Sequence, residues 1–177
     1  MIKLYGTSIS NYFSTAKAAF IEKGVAFEEV AIFPSQDPEV INSAPTGKVP
    51  YIDVDGKILT ETNVIFDYLE DIQPTPALYP SDPWAKAKVK ELIRVVELYV
   101  DFPARQHLAA VYFGAPVDEA TSERVKPEVD KGVRALKHFA QFGPYIAGDS
   151  FSYADIAAYF QVRFANLHTT QVYNLEL

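Results

Sequence analysis

Hydrophobic and polar positions alternate between two rhythms over the first 75 residues. Residues 2–5 read as a short strand that stops at Gly6. Over 14–23, Ala16, Ala19 and Phe20 fall at i, i+3 and i+4, and Gly24 ends the helix that this spacing predicts. Residues 26–33 read as a strand again, closed by Pro34. Asp37-Pro38-Glu39 opens a short helix, with proline at a favoured early position. Residues 50–54 and 57–60 are two short strands joined at Asp55-Gly56, and Asp-Gly between apolar runs is a strong hairpin signal. Over 62–72, Val64, Ile65, Tyr68 and Leu69 lie on one helical stripe. The order β-α-β-α-β-β-α predicts a small mixed sheet with helices packed against it.

The rhythm then changes. Pro74, Pro76, Pro80 and Pro83 make 73–83 a stiff linker. Beyond it every apolar stripe is helical: Val89, Ile93, Val96 and Val100; Val125, Val129, Val133 and Leu136; Tyr153, Ile156, Ala157 and Phe160. Pro103 and Pro127 each mark a kink or a helix boundary. The expected organisation is an α/β domain over 1–76, a proline-rich linker at 77–83 and an all-helical domain over 84–177.

Composition narrows the chemistry. Hydrophobic residues make up 49% of the 177 and charged residues 22%, as in an ordinary soluble globular protein. A net charge of -7 without a dense basic cluster disfavours nucleic-acid binding. The absence of cysteine excludes a disulfide framework, a thiolate metal site and a cysteine nucleophile. No secretion signal opens the chain, and no run approaches the ~20 apolar residues of a membrane span, so a cytoplasmic protein is expected. His107, His138 and His168 lie far apart in sequence and form no metal-binding pair; no metal is expected. His138, beside Lys137, is expected to be exposed. Neither a phosphate-binding glycine run nor a Gly-x-Ser-x-Gly elbow is present.

One stretch carries more information: "TGKVPYIDVDGKILTET", residues 46–62. A cis bond at Val49-Pro50 would leave the Val49 N–H and C=O as an open edge for a bound peptide; a trans bond would make Pro50 the ordinary start of an edge strand. Thr62 is placed to cap the next helix, whose free N–H groups attract a carboxylate, and Glu61 beside it can accept an ammonium group. An ordinary helix cap fits the same two residues.

In this order, the strand, the serine-bearing loop, "APTGKVPYI" and "GKILTET" resemble the thioredoxin-like domain of the cytosolic glutathione transferases, in particular bacterial members with a serine-type first loop. "AGDSFSYADIAAY" is similar to that family's N-capping box and hydrophobic staple, with Ser152 and Asp155 as the box. The resemblance implies the glutathione transferase fold, glutathione as substrate or co-substrate, conjugation of its thiolate to small hydrophobic electrophiles, a detoxification role and a homodimer. It implies that Val49, before a cis Pro50, pairs its backbone with the cysteinyl part of glutathione, and that Glu61 and Thr62 hold the γ-glutamyl end. Lys48, at the variable position of Gly-x-Val-Pro, faces either a glutathione carboxylate or solvent.

Alignment on "LYG" and on the helix ending "EKG" places the thiol-activating position at Ser10, with Tyr5 and Tyr12 as rivals and a plain helix cap as the other reading of Ser10. The resemblance puts the electrophile among Tyr12, Phe102, His107 and Tyr112, with Tyr99 and Phe113 on the same part of the chain. Family members usually continue beyond the capping-box helix, so the helical domain is expected to be incomplete at Leu177. A non-catalytic glutathione-binding or regulatory protein, and a glutathione-dependent isomerase or dehalogenase, are the alternatives. The lack of cysteine argues against the isomerase, whose first loop often carries Ser-Ser-Cys.

Overall fold

Apolar positions at 2–5 and 51–54 make strands that bury Leu4, Tyr51 and Ile52, and the two strands are neighbours in a four-stranded sheet. The computed structural model describes residues 1–177 and divides them into two compact units, Met1–Tyr79 and Pro80–Leu177. In the first unit the sheet order is β2-β1-β3-β4, built from β1 (Ile2–Gly6), β2 (Phe27–Ala31), β3 (Tyr51–Val54) and β4 (Lys57–Thr60). β1 runs parallel to β2 and antiparallel to β3, and β3 and β4 form the hairpin predicted at Asp55-Gly56. Asp55 (φ 51°) and Gly56 (φ 85°) both take the positive φ that such a turn requires.

Leu4 and Ile52, partners across β1 and β3, are fully buried. Helices α1 (Asn11–Glu22) and α3 (Thr62–Ile72) pack against each other and bury Ala16, Ala19, Phe20, Ile65, Phe66 and Leu69. α1 begins at Asn11, three residues before the start expected at 14, because Ser10 caps it there. In α3 the buried stripe is Ile65, Phe66 and Leu69, whereas Val64 is exposed. That helix is rotated by about one residue, ~100°, from the face expected from the sequence. The short α2 (Pro38–Ile41) buries only Val40.

Lys23, at the C-terminal cap of α1, is fully buried. Its Nζ donates to Glu70 Oε2 (2.7 Å) and to the Pro76 carbonyl (2.5 Å). The same Glu70 carboxylate accepts from the backbone N–H groups of Leu78 and Tyr79, both buried. The segment expected to act as a linker from residue 77 is thereby bound to the first unit as far as Tyr79.

The second unit contains α4 (Pro83–Val95), a π-helical turn (Val96–Asp101), α5 (Phe102–Ala104), a 3-10 turn (Arg105–His107), α6 (Leu108–Phe113), α7 (Glu119–Phe139) and α8 (Tyr153–Tyr173). Val89, Ile93, Val96 and Val100 are all buried, as their spacing predicts. Pro103 sits just beyond the π-helical turn, where α5 begins, so it marks a boundary. Pro127 lies inside α7, which continues through it and is not bounded there. At the start of α8, Ser152 Oγ accepts from the helix backbone and Asp155 Oδ2 accepts from Ser152 N–H (2.8 Å), completing the capping box. Asp155 Oδ1 also accepts from Ile146 N–H (2.8 Å), which holds the preceding loop to the helix. His138 is exposed on α7.

Candidate functional site

The strand register brings the sequence-predicted residues to one end of the first unit's sheet. Val30, Tyr5, Tyr51 and Thr60 form one row across the four strands. The loop to Ser10 leaves β1 just past that row, Val49-Pro50 enters β3 just before it, and Glu61-Thr62 leaves β4 directly after it. Residues distant in sequence share this end because β3 is antiparallel to both of its neighbours.

Ser10 is the N-cap of α1, with extended backbone angles (φ -77°, ψ 118°), and its Oγ accepts from Phe13 N–H (3.3 Å). The cap therefore uses an oxygen lone pair and leaves the hydroxyl proton for another acceptor. Capping and donation are compatible in this one side chain. Tyr12 is half-buried in the first turn of α1. Tyr5 stacks on Tyr51, with ring centroids 4.6 Å apart and planes at 9°.

The Val49-Pro50 bond is cis. The β1–β3 ladder begins at Tyr51, and Val49 takes part in none of the backbone hydrogen bonds made outside the helices and ladders. Its side chain is buried in a cluster with Ala44 and Tyr51. Gly47 (φ 68°) sets the approach to this corner: its carbonyl accepts from Ser35 N–H (3.0 Å), and a Cβ there would overlap Ser35 and Gln36. Lys48 is exposed.

Glu61, not Thr62, is the N-cap residue of α3, and its side chain makes no capping bond. Its backbone lies at φ 71°, ψ 116°, a region that side-chain-bearing residues rarely occupy. Thr62 is the first helical residue and is buried. The first turn of α3 carries no acidic residue and its N-terminus has no side-chain cap, so its free N–H groups are left for another acceptor.

The remaining candidates fall on both units. Phe102, His107 and Tyr112 belong to the second unit, whereas Tyr12 belongs to the first. Phe102 is exposed. His107 is buried, and its Nε2 lies 2.5 Å from the Tyr173 hydroxyl, which itself donates to the Ser122 carbonyl (3.2 Å). With that hydroxyl proton so engaged, His107 Nε2–H is the donor to Tyr173. Tyr112 stacks on Phe164 (6.2 Å) and tilts over His168 (5.6 Å). Sequence reasoning overlooked Tyr51. Its signal was available only through the register that pairs it with Tyr5. No group of three or more His, Cys, Asp or Glu side chains is arranged to hold a metal ion, and no helix is long and apolar enough to cross a membrane.

The family model for the glutathione S-transferase N-terminal domain matches residues 4–77. A glutathione S-transferase of Pseudomonas putida is 39% identical over 176 residues, covering 99% of this chain and 80% of that protein. A probable maleylacetoacetate isomerase of Drosophila melanogaster is 31% identical over 120 residues, covering 67% of this chain and 48% of its own length. A delta-class glutathione transferase of Nilaparvata lugens shares the fold, with a TM-score of 0.78 at 24% identity over 100% of this chain and 82% of that one. With near-complete coverage by a relative at that identity, and with this sheet and helical unit, the chain belongs to the glutathione S-transferase family of enzymes.

Proposed function

We propose that the chain binds glutathione at the end of its sheet and conjugates the glutathione thiolate to small hydrophobic electrophiles, with Ser10 stabilising the thiolate. The observation that carries this reading is the placing of three elements at one end of the sheet: a hydroxyl with its proton free, a strand edge without partners and an uncapped helix start. A tripeptide with a thiol in its middle and an α-amino-acid head can engage all three. Val49 N–H and C=O pair with its backbone, as an added strand would. The first-turn N–H groups and hydroxyl of Thr62 take the α-carboxylate, and Glu61 takes the ammonium group. Lys48, exposed beside Val49, is available to the carboxylate at the other end.

The thiol needs activation because only the thiolate is a good nucleophile. A thiol of pKa ~8.5 is about 3% ionised at pH 7, and lowering it by two units, about 2.7 kcal/mol, makes roughly three-quarters of it thiolate. A hydroxyl donor and the positive end of α1 both favour the anion. The thiolate then attacks the electrophilic carbon. A carbon–sulfur bond forms, and a leaving group departs with its electron pair or a double bond accepts it. Tyr12, in the first turn of α1, is a candidate contact for the electrophile. A homodimer is the assembly we expect, since isologous dimers are the commonest closed assemblies; light scattering would measure it.

Titration of glutathione into the protein with ultraviolet detection of thiolate tests the reading directly. Bound glutathione should absorb as thiolate near pH 7. Ser10→Ala should raise its pKa by about one to two units while leaving it bound. Failure to bind glutathione would sink the proposal, and an unchanged pKa in Ser10→Ala would remove Ser10 from it. The similarity to a probable maleylacetoacetate isomerase favours a second reading, in which glutathione adds and leaves again without net conjugation. Recovery of unaltered glutathione with an isomerised product would establish that alternative.

A further inference from the structure

Tyr5 and Tyr51 are the aromatic residues of the site row, and their rings pack flat on each other across β1 and β3. The position of Tyr5 follows from strand alternation. Ile2, Leu4 and Phe27 share a face of the sheet, and that face meets α1, where the Phe20 ring lies 4.9 Å from Phe27. Tyr5 therefore points to the opposite face. There it stacks on Tyr51 and packs against the cluster of Ala44, Val49 and Tyr51. The Tyr51 hydroxyl is hydrogen-bonded to Ser43, and burial followed by the neighbouring Tyr5 holds its pKa above the ordinary phenol value. The Tyr51 ring is thus neutral at physiological pH, and the flat stack gives Val49 an aromatic surface to pack on.

Val49 rests on this platform. Its side chain is enclosed, and its backbone has no ladder bond to fix it. What orients the free edge is the packing of that one side chain. Nearly parallel rings in offset contact resist sliding, so they transmit a fixed position from β1 to Val49. The geometry points to Tyr5 as a positioning residue for glutathione that acts through Tyr51 and Val49, not as a donor to the sulfur. This inference rests on the glutathione reading above and deepens it. It assigns the aromatic residue at the end of β1 to binding and leaves thiol activation to the serine on the other face.

Two readouts separate the roles: the glutathione Kd by calorimetry, and the pKa of bound glutathione by thiolate absorbance. Tyr5→Leu keeps apolar bulk and removes the stack. It should raise Kd about five- to tenfold, with the pKa of the bound thiol unchanged. Tyr5→Phe keeps the ring and loses only the hydroxyl, and it should rescue Kd to within about twofold of the unmutated protein. Val49→Ala, which leaves the stack intact and removes what rests on it, should reproduce the weaker binding should Tyr5→Leu fold poorly.

Tyr5→Phe raising the thiol pKa by a unit would make Tyr5 a thiol donor and overturn the inference. So would an unchanged Kd in Tyr5→Leu, or in Val49→Ala where that variant stands in. If the unmutated protein does not bind glutathione, the proposed function falls and this inference falls with it. If it binds and the variants bind equally well, only the positioning role is lost.

Discussion

At Thr62 a single hydroxyl and a single N–H sit buried at the mouth of a helix with no capping side chain. Hydrogen bonds to a charged group are worth about 1.5–3 kcal/mol, so Thr62→Ala should weaken glutathione binding at least about tenfold. Turnover at saturating glutathione should fall far less, because the proposed placement puts the hydroxyl at the amino-acid head and not at the sulfur. An unchanged Kd would contradict the placement. The residue types at this site were legible in the sequence, since Glu61-Thr62 and Gly47-Lys48-Val49-Pro50 are contiguous. Their local conformation was less so. Thr62 was expected to be the cap, yet Glu61 occupies that position at φ 71°, which the preference of side-chain-bearing residues for negative φ argues against. The choice among hydroxyls in the first loop was also open. Strand alternation in the folded sheet, not any feature of 5–12 alone, puts Tyr5 and α1 on opposite faces.

Among the elements, the π-helical turn and α7 approach most closely at Gly132. A methyl group there would overlap the carbonyl of Tyr99, which is backbone and cannot swing aside. Gly132→Ala should therefore cost about 1–3 kcal/mol through overpacking, in spite of alanine's better helix propensity. Denaturant unfolding would measure it, and a stabilised variant would show that the two helical segments separate freely. The hairpin at Asp55-Gly56 and the capping box at Ser152 and Asp155 could be read directly, because each depends on neighbours a few residues apart. The π-helical turn carries no such local signature. The rotation of α3, which buries Phe66 and exposes Val64, is decided by α1 and not by the α3 sequence alone.

For the molecule as a whole, acid stability depends on two buried imidazoles in the helical unit. Burial holds His168 below the ordinary imidazole value, opposed by its bond to the Phe164 carbonyl and assisted by Arg105 and His107. His107 is lowered by burial and then by Arg124. His168 Nδ1 lies 2.7 Å from that carbonyl, which can only accept, so Nδ1 carries the proton and the buried Nε2 has no partner. Protonating it would place a charge in the core. The unfolded chain takes up those protons near pH ~6.5 and the folded chain only at lower pH, so stability is full above about pH 6.5 and is lost as pH falls toward the folded values. The Tm should decline over that window, and His168→Gln should flatten the decline; a Tm independent of pH between about 7 and 5 would refute this. The division into an α/β part and a helical part was visible in the change of periodicity after the prolines. Where the first part ends was not, because Glu70 recruits Leu78 and Tyr79 by their backbone N–H groups, which no residue identity announces.

That carboxylate has a practical bearing on dissecting the protein. A fragment cut after residue 73 would lose the Pro76 carbonyl that accepts from Lys23, as well as both amides that engage Glu70. It would keep an ammonium ion in its interior with one acceptor where there had been two. Isolated versions of the α/β unit should accordingly be cloned through Tyr79.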